Sequence, residues 1–272
     1  MKNSGFQPMV LRVADLTRRF GDLVAADHVT FAVAEGEVFG LLGANGAGKS
    51  TVIKMLTTLL PPTSGDAEVA GFDLRREPQE VRRRVGYVPQ MLSVDGDLTG
   101  VENLKVFASL YEVGRRERQS RISEALSLMG LTEAADRLVR SYSGGMIRRL
   151  EIAEAMLHRP PLLFLDEPTV GLDPIARETV WSRIGELRQD FQTTILLTTH
   201  YMEEAEALCG RVAIMHLGKI AAEGSPEALK RGLDSEQATM DDVFERYAGG
   251  EIEGGGGFRE TATTRRTARR LG

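Results

Sequence analysis

The 272-residue sequence has a single cysteine, Cys209, no basic excess, and no apolar run approaching the roughly 20 residues that span a bilayer. One cysteine excludes a disulfide scaffold and fits a reducing cytosol. Without a spanning run, any action on a membrane process comes from outside the bilayer, through partners. The segment from Met1 to Pro8 is polar and lacks the apolar stretch of a signal peptide. A formal net charge of −5 argues against nucleic acid as a partner, since such binders carry a basic surplus. No internal repeat is visible. With 42% hydrophobic residues, the chain can build one sizeable core, or a core with an inserted subdomain, but not two large domains.

What is present alternates strand and helix. Val29 to Val33 alternates apolar and small residues and reads as a half-buried strand. Val38 to Leu42, Leu162 to Leu165 and Thr194 to Thr198 read as strands buried on both faces. Val85 to Val88 is a further short strand, and Arg211 to Met215 with Lys219 to Ala222 form a hairpin around Leu217-Gly218. Thr51 to Leu60 has helical apolar spacing stopped by Pro61-Pro62, and Leu98 to Arg140 reads as a helical insert. This order predicts an α/β fold with a mostly parallel sheet. Four glycines at 254 to 257 precede an Arg/Thr-rich stretch with few apolar residues, expected to be disordered. Its arginines are open to two readings, a solvated tail or a contact with anionic lipid or nucleic acid.

Two motifs carry chemistry. Gly43-Ala44-Asn45-Gly46-Ala47-Gly48-Lys49-Ser50, followed by Thr51, matches G-x-x-x-x-G-K-[ST] between a buried strand and a helix. Glycines let successive backbone N–H groups turn inward onto phosphate oxygens, and the helix N-terminus adds its positive end. Lys49 supplies a charge for the β- and γ-phosphates, and the Ser50 hydroxyl is placed to ligate Mg²⁺. The apolar strand ending at Leu165 leads into Asp166, which suits it to hold Mg²⁺, and Glu167, a candidate general base. By itself Asp-Glu-Pro after a strand is an ordinary turn; beside a phosphate loop it reads as catalytic.

Tyr142-Ser143-Gly144-Gly145-Met146 resembles the signature of the ATP-binding cassette family, typically Leu-Ser-Gly-Gly-Gln. Asp166-Glu167-Pro168-Thr169, Gly171-Leu172-Asp173 and His200 follow in the family's order, and Gln90 sits where the family has its Q-loop. The resemblance covers about Val10 to Lys230. It implies a P-loop NTPase core with an N-terminal antiparallel β subdomain and an inserted helical subdomain. It places the nucleotide-binding domain at 8–232 with the helical part at about 92–145, a C-terminal extension at 233–253 and a tail at 254–272.

The resemblance also implies roles. ATP and Mg²⁺ are the expected cofactors, with Ser50, Gln90 and Asp166 around the metal. Ser143, Gly144, Gly145 and Met146 would bind the γ-phosphate held by another subunit, with Asp173 as a cross-interface contact. His200, with Glu167 and Lys49, belongs to the catalytic set. Phe20, 23 residues before Gly43, is either an adenine-stacking ring or a packing residue. Tyr142 and Met146 replace the usual leucine and glutamine, and both changes resemble the daunorubicin-type exporter branch. Met240-Asp241-Asp242-Val243-Phe244 resembles it too.

These features imply a homo- or heterodimeric ATPase subunit, peripheral on the cytoplasmic face of the membrane, energising separately encoded permease subunits. A soluble cassette ATPase acting on DNA, ribosomes or cofactor assembly is a second reading. It is disfavoured because neither a long coiled-coil insertion nor a second cassette is present. A binding module without catalysis is a third, opposed by the intact Lys49, Ser50, Asp166, Glu167 and His200.

Overall fold

The computed structural model describes residues 8–233 and 237–249. In chain order the strands are β1 (Met9–Phe20), β2 (Leu23–Ala34), β3 (Val38–Leu42), β4 (Ser64–Val69), β5 (Phe72–Asp73), β6 (Val85–Val88), β7 (Leu162–Asp166), β8 (Thr194–Thr199), β9 (Arg211–His216) and β10 (Lys219–Gly224). The α-helices are α1 (Lys49–Leu56), α2 (Pro78–Arg84), α3 (Gly100–Leu110), α4 (Arg115–Leu128), α5 (Gly144–Met156), α6 (Pro174–Phe191), α7 (Met202–Leu208), α8 (Pro226–Arg231) and α9 (Met240–Ala248).

Two sheets result. The larger has strand order β10-β9-β3-β8-β7-β6, parallel from β9 to β6 with β10 antiparallel at one edge. The smaller is antiparallel, in the order β2-β1-β4-β5. The central strands β3, β7 and β8 are buried at every residue, as their continuous apolar runs require. Alternate side chains serve opposite faces. Phe39, Leu41, Phe164 and Leu196 pack with the small sheet, α1 and α2, whereas Leu42, Leu163, Leu165 and Leu197 pack with α3 to α7 and α9.

The hairpin falls at Leu217-Gly218 as the sequence suggests. The expected strand at Val29–Val33 is longer, and the expected helix at Thr51–Leu60 spans Lys49–Leu56 instead. Thr58 takes a left-handed φ of 63° and ends the helix, its N–H bonding back to the Met55 carbonyl. The stretch read as a helical insert resolves into α3, α4 and short 3₁₀ turns, with α3 started by a reciprocal capping box between Thr99 and Glu102. Helix α9 buries Met240 and Val243 against the core, so part of the C-terminal extension is folded onto the domain. The glycine- and arginine-rich tail lies outside the described residues, and among these no helix is long and apolar enough to cross a membrane.

Candidate functional site

The C-terminal ends of the parallel strands gather the site. From β3 the chain turns through Gly43–Gly48 into α1. Gly48 adopts φ 104°, and a Cβ there would run into the Ala25 carbonyl of β2, so only glycine lets the loop pass beneath that strand. Helix α1 starts at Gly48 without a side-chain cap, leaving its first-turn N–H groups directed into the loop. This cradle of backbone donors at a helix N-terminus is the form that binds phosphate.

Lys49, the first residue of α1, turns back over the loop. Its Nζ donates to the carbonyls of Gly43 (2.8 Å) and Ala44 (3.1 Å) and stands 3.1 Å from Glu167 Oε1. Both side chains are almost fully buried, at 3% and 6% exposure. Asp166, at the end of β7, accepts from Ser50 Oγ (3.0 Å) and Thr198 Oγ1 (2.6 Å) on the same oxygen. That pair of oxygens is hard-donor chemistry suited to Mg²⁺. Among the described residues no group of three or more His, Cys, Asp or Glu is arranged to hold a metal. A metal held by Ser50 and Asp166 would need most of its ligands from phosphate and water, as Mg²⁺ does at nucleotide sites.

Glu167 is the point of convergence. Its backbone is left-handed (φ 48°), and its N–H is held by the carbonyl and the hydroxyl of Thr198, at 3.1 and 3.0 Å. A non-glycine residue in this conformation is held there by its surroundings, a common device at functional sites. Its Oε2 accepts from Gln90 Nε2 (3.1 Å) and lies 3.3 Å from His200 Nδ1. Lysine, glutamine and histidine from three separate segments thus meet one carboxylate.

Gln90 is itself clamped. Arg148, buried in α5, donates to the carbonyls of Pro89 (2.7 Å) and Gln90 (2.9 Å) and pairs with Glu151 at 3.0 Å. Glu151 accepts from the N–H (2.6 Å) and hydroxyl (3.1 Å) of Ser93. Burial raises the Glu151 pKa against the pull of Arg148 and Ser93, and lowers that of Arg148. The loop from Pro89 to Ser93 is held at both ends while Met91 and Leu92 between them face solvent.

The signature residues lie elsewhere. Ser143 caps α5, its hydroxyl accepting from the Met146 N–H at 3.3 Å. Ser143, Gly145 and Asp173 line one open groove of about 300 Å³ with Arg149, Ile175, Ala176 and Thr179. No phosphate-loop residue lines it. Asp173 caps α6, and Phe20 ends β1 half exposed under the Arg18 guanidinium, 4.6 Å from its ring centre. The structure thus brings Lys49, Ser50, Gln90, Asp166, Glu167 and His200 together, and sets Ser143, Gly145 and Asp173 around a separate groove.

Thr198, Arg148 and Glu151 escaped the sequence reading. Thr198 was concealed in an apolar strand. The Arg148–Glu151 pair is spaced i,i+3, but Arg149 and Glu154 lie in the same helical run, so the sequence does not single it out as the buried pair.

A phosphate loop, a strand-end Asp-Glu and a parallel sheet with helices on both faces define a P-loop ATPase. The sequence matches the ABC transporter family over residues 26–170. It is 46% identical over 220 residues to the daunorubicin resistance ATP-binding protein DrrA2 of Streptomyces coeruleorubidus, covering 81% of this chain and 68% of that one. It is 42% identical to YbhF of Escherichia coli, a probable multidrug ABC transporter ATP-binding protein, over 86% of this chain and 41% of that one. The fold is similar to a dimeric post-hydrolysis state of the ATP-binding cassette MJ0796 bound to ADP and Pi, with a TM-score of 0.71, 25% identity, and coverage of 79% of this chain and 98% of that one. The chain belongs to the ABC transporter family, as an ATP-binding and ATP-hydrolysing subunit.

Proposed function

We propose that the chain powers export through separately encoded membrane subunits, with two ATP-binding subunits closing head to tail around ATP. The carrying observation is the separation of the two half-sites: a phosphate loop with its carboxylates, and a distinct groove lined by Ser143, Gly145 and Asp173. The groove supplies a hydroxyl and a helix N-terminus, suited to a γ-phosphate presented by another subunit.

In this reading the N–H groups of residues 43 to 51 and Lys49 cradle the phosphates, and Phe20 stacks on adenine. Ser50 and Asp166, with Gln90, would hold Mg²⁺, which supplies charge neutralisation on the phosphate oxygens. Glu167 accepts a proton from the attacking water, and Gln90 and His200 both hold its carboxylate at Oε2. Hydrolysis releases the clamp. Movement passes from Gln90 through the Arg148–Glu151 clasp to α5 and the helical segment. Exposed Met91, Leu92, Val106 and Leu110 there offer an apolar surface for a membrane subunit, which would place the chain peripherally on the cytoplasmic face of the membrane.

Affinity purification from membranes tests the proposal. A co-purifying polytopic subunit, lost when Met91 and Leu92 are replaced by serine, is the expected result. Recovery instead on ribosomes or in a soluble assembly would overturn the exporter reading.

A further inference from the structure

Glu204 lies in the first turn of α7, four residues beyond His200, and is fully buried. Its Oε1 accepts two hydrogen bonds, from Thr169 Oγ1 at 2.7 Å and from Trp181 Nε1 at 2.9 Å. Thr169 sits in the turn two residues past Glu167. Trp181 stands on α6, the helix that Asp173 caps. One oxygen therefore joins the turn after the candidate base, the helix after the D-loop and the segment carrying His200. Burial raises the Glu204 pKa, while the hydroxyls of Thr199 and Thr169, the Trp181 indole and the charge of Arg177 lower it.

A buried carboxylate is costly unless hydrogen-bonded, and an apolar side chain would fill the space without that cost. What it gives in return is register. Arg177, also on α6, adds a second link: it stacks over the Tyr201 ring at 4.6 Å and pairs with Glu203 at 3.7 Å. The Tyr201 ring leans on His200 with centroids 4.2 Å apart.

We propose that Glu204 is a positioning residue of the ATPase reaction, fixing α6 and the turn after Glu167 in register with His200. Asp173, which faces the partner subunit, then moves together with the residues of the chain's own phosphate site. The inference rests on the roles given above to Glu167, His200 and Asp173.

Trp181 is the only tryptophan, so its fluorescence reports the junction directly. In the full chain, Glu204→Leu should lower kcat about 10–100-fold, the usual cost of a small displacement in a catalytic group. KM and ATP affinity should stay near wild type, the unfolding temperature should fall because the buried Thr169 hydroxyl loses its acceptor, and the Trp181 emission should shift. Glu204→Gln, which keeps a carbonyl acceptor for both donors, should recover most of kcat. Trp181→Phe, which removes one donor and leaves the carboxylate in place, should lower kcat with the same unchanged KM, and decides the matter if Glu204→Leu fails to fold. Wild-type kcat in Trp181→Phe and in a folded Glu204→Leu would overturn the positioning role. A wild-type chain that hydrolyses no ATP would instead overturn the reading on which it rests.

Discussion

Lys49 Nζ and Glu167 Oε1 stand 3.1 Å apart with both side chains almost fully buried, and the two residues are unequally provided for. Lys49 also donates to the carbonyls of Gly43 and Ala44, whereas the Glu167 carboxylate has one further hydrogen bond, from Gln90, and only the proximity of His200 Nδ1 at 3.3 Å. Glu167→Gln should therefore fold normally and bind ATP, yet hydrolyse it about 10²–10⁴-fold more slowly, the worth of a lost general base. Single-turnover kinetics with light scattering should show a dimer persisting in ATP; normal hydrolysis would remove Glu167 from that role.

Lys49→Ala breaks the same pair from the other side and leaves a buried carboxylate without its cation. Such one-sided losses cost about 3–5 kcal/mol in stability, and Gln90 and His200 should keep the value at the lower end. ATP binding should weaken by a further 1.5–3 kcal/mol or about that, from the lost charge-assisted phosphate contact. Urea unfolding and ATP titration separate the two effects.

Gly145 is fixed by contact rather than backbone conformation. A Cβ on it would lie 2.8 Å from the Ala176 Cβ of α6, whereas one on Gly144 meets only Leu172 Cδ2, the far end of a side chain, at 3.3 Å. Gly145→Ala should cost about 1–3 kcal/mol by overpacking, and Gly144→Ala clearly less. Gly145→Asp should additionally abolish ATP-driven dimerisation while the monomer still binds nucleotide. Thermal unfolding and light scattering of the three variants check this order.

The parallel strands and the phosphate loop were legible because buried strands read as unbroken apolar runs and the loop's glycines are dictated by its turn. Strand β1 was not read from the sequence as a strand, for a physical reason. Its pairing with β2 shifts register between Val13 and Leu16 and again between Leu16 and Arg18, and Asp15 has φ 50°. Bulges displace the period-two pattern on which strand reading depends. The Gln90–Glu167–His200 contacts were not legible either, since they join segments 77 and 33 residues apart and exist only once the sheet has formed. Helix α9 hides behind its acidic face, with only Met240, Val243 and Ala248 buried.

Phe20 presents one ring face to Arg18 and is 45% exposed, at the tip of the β1–β2 hairpin. The same hairpin's Ala25 packs over Gly48, which brings it beside the phosphate loop. Phe20→Ala should weaken ATP binding by about 0.5–1.5 kcal/mol, the worth of one aromatic stack, and weaken GTP binding by a similar amount. Unchanged affinity by calorimetry would return Phe20 to a packing role.

Two titrating groups under the helical segment make stability depend on pH in opposite senses. Burial and the neighbouring Glu151 push Glu154 up to about 8, while burial pulls His158 down to about 4 despite its bond to the Val85 carbonyl. Tyr111 stacks on the His158 ring at 4.0 Å, its own pKa raised by burial and Glu154. Folded Glu154 holds a proton that the unfolded chain releases above the ordinary glutamate value of 4.5, so its contribution is complete below 4.5 and fades as pH rises toward 8. His158 does the reverse, taking up a proton in the unfolded chain below 6.5 and costing stability as pH falls toward 4. Between 4.5 and 6.5 the two oppose each other, and from 6.5 to 8 Glu154 acts alone. Its share of stability should there fall by up to about 1.4 kcal/mol per pH unit. Glu154→Gln should flatten that limb in urea unfolding series, and His158→Phe should steepen the gain on acidification below 6.5. A limb from 6.5 to 8 that is the same in wild type and Glu154→Gln would mean that Glu154 is ionised in the folded protein.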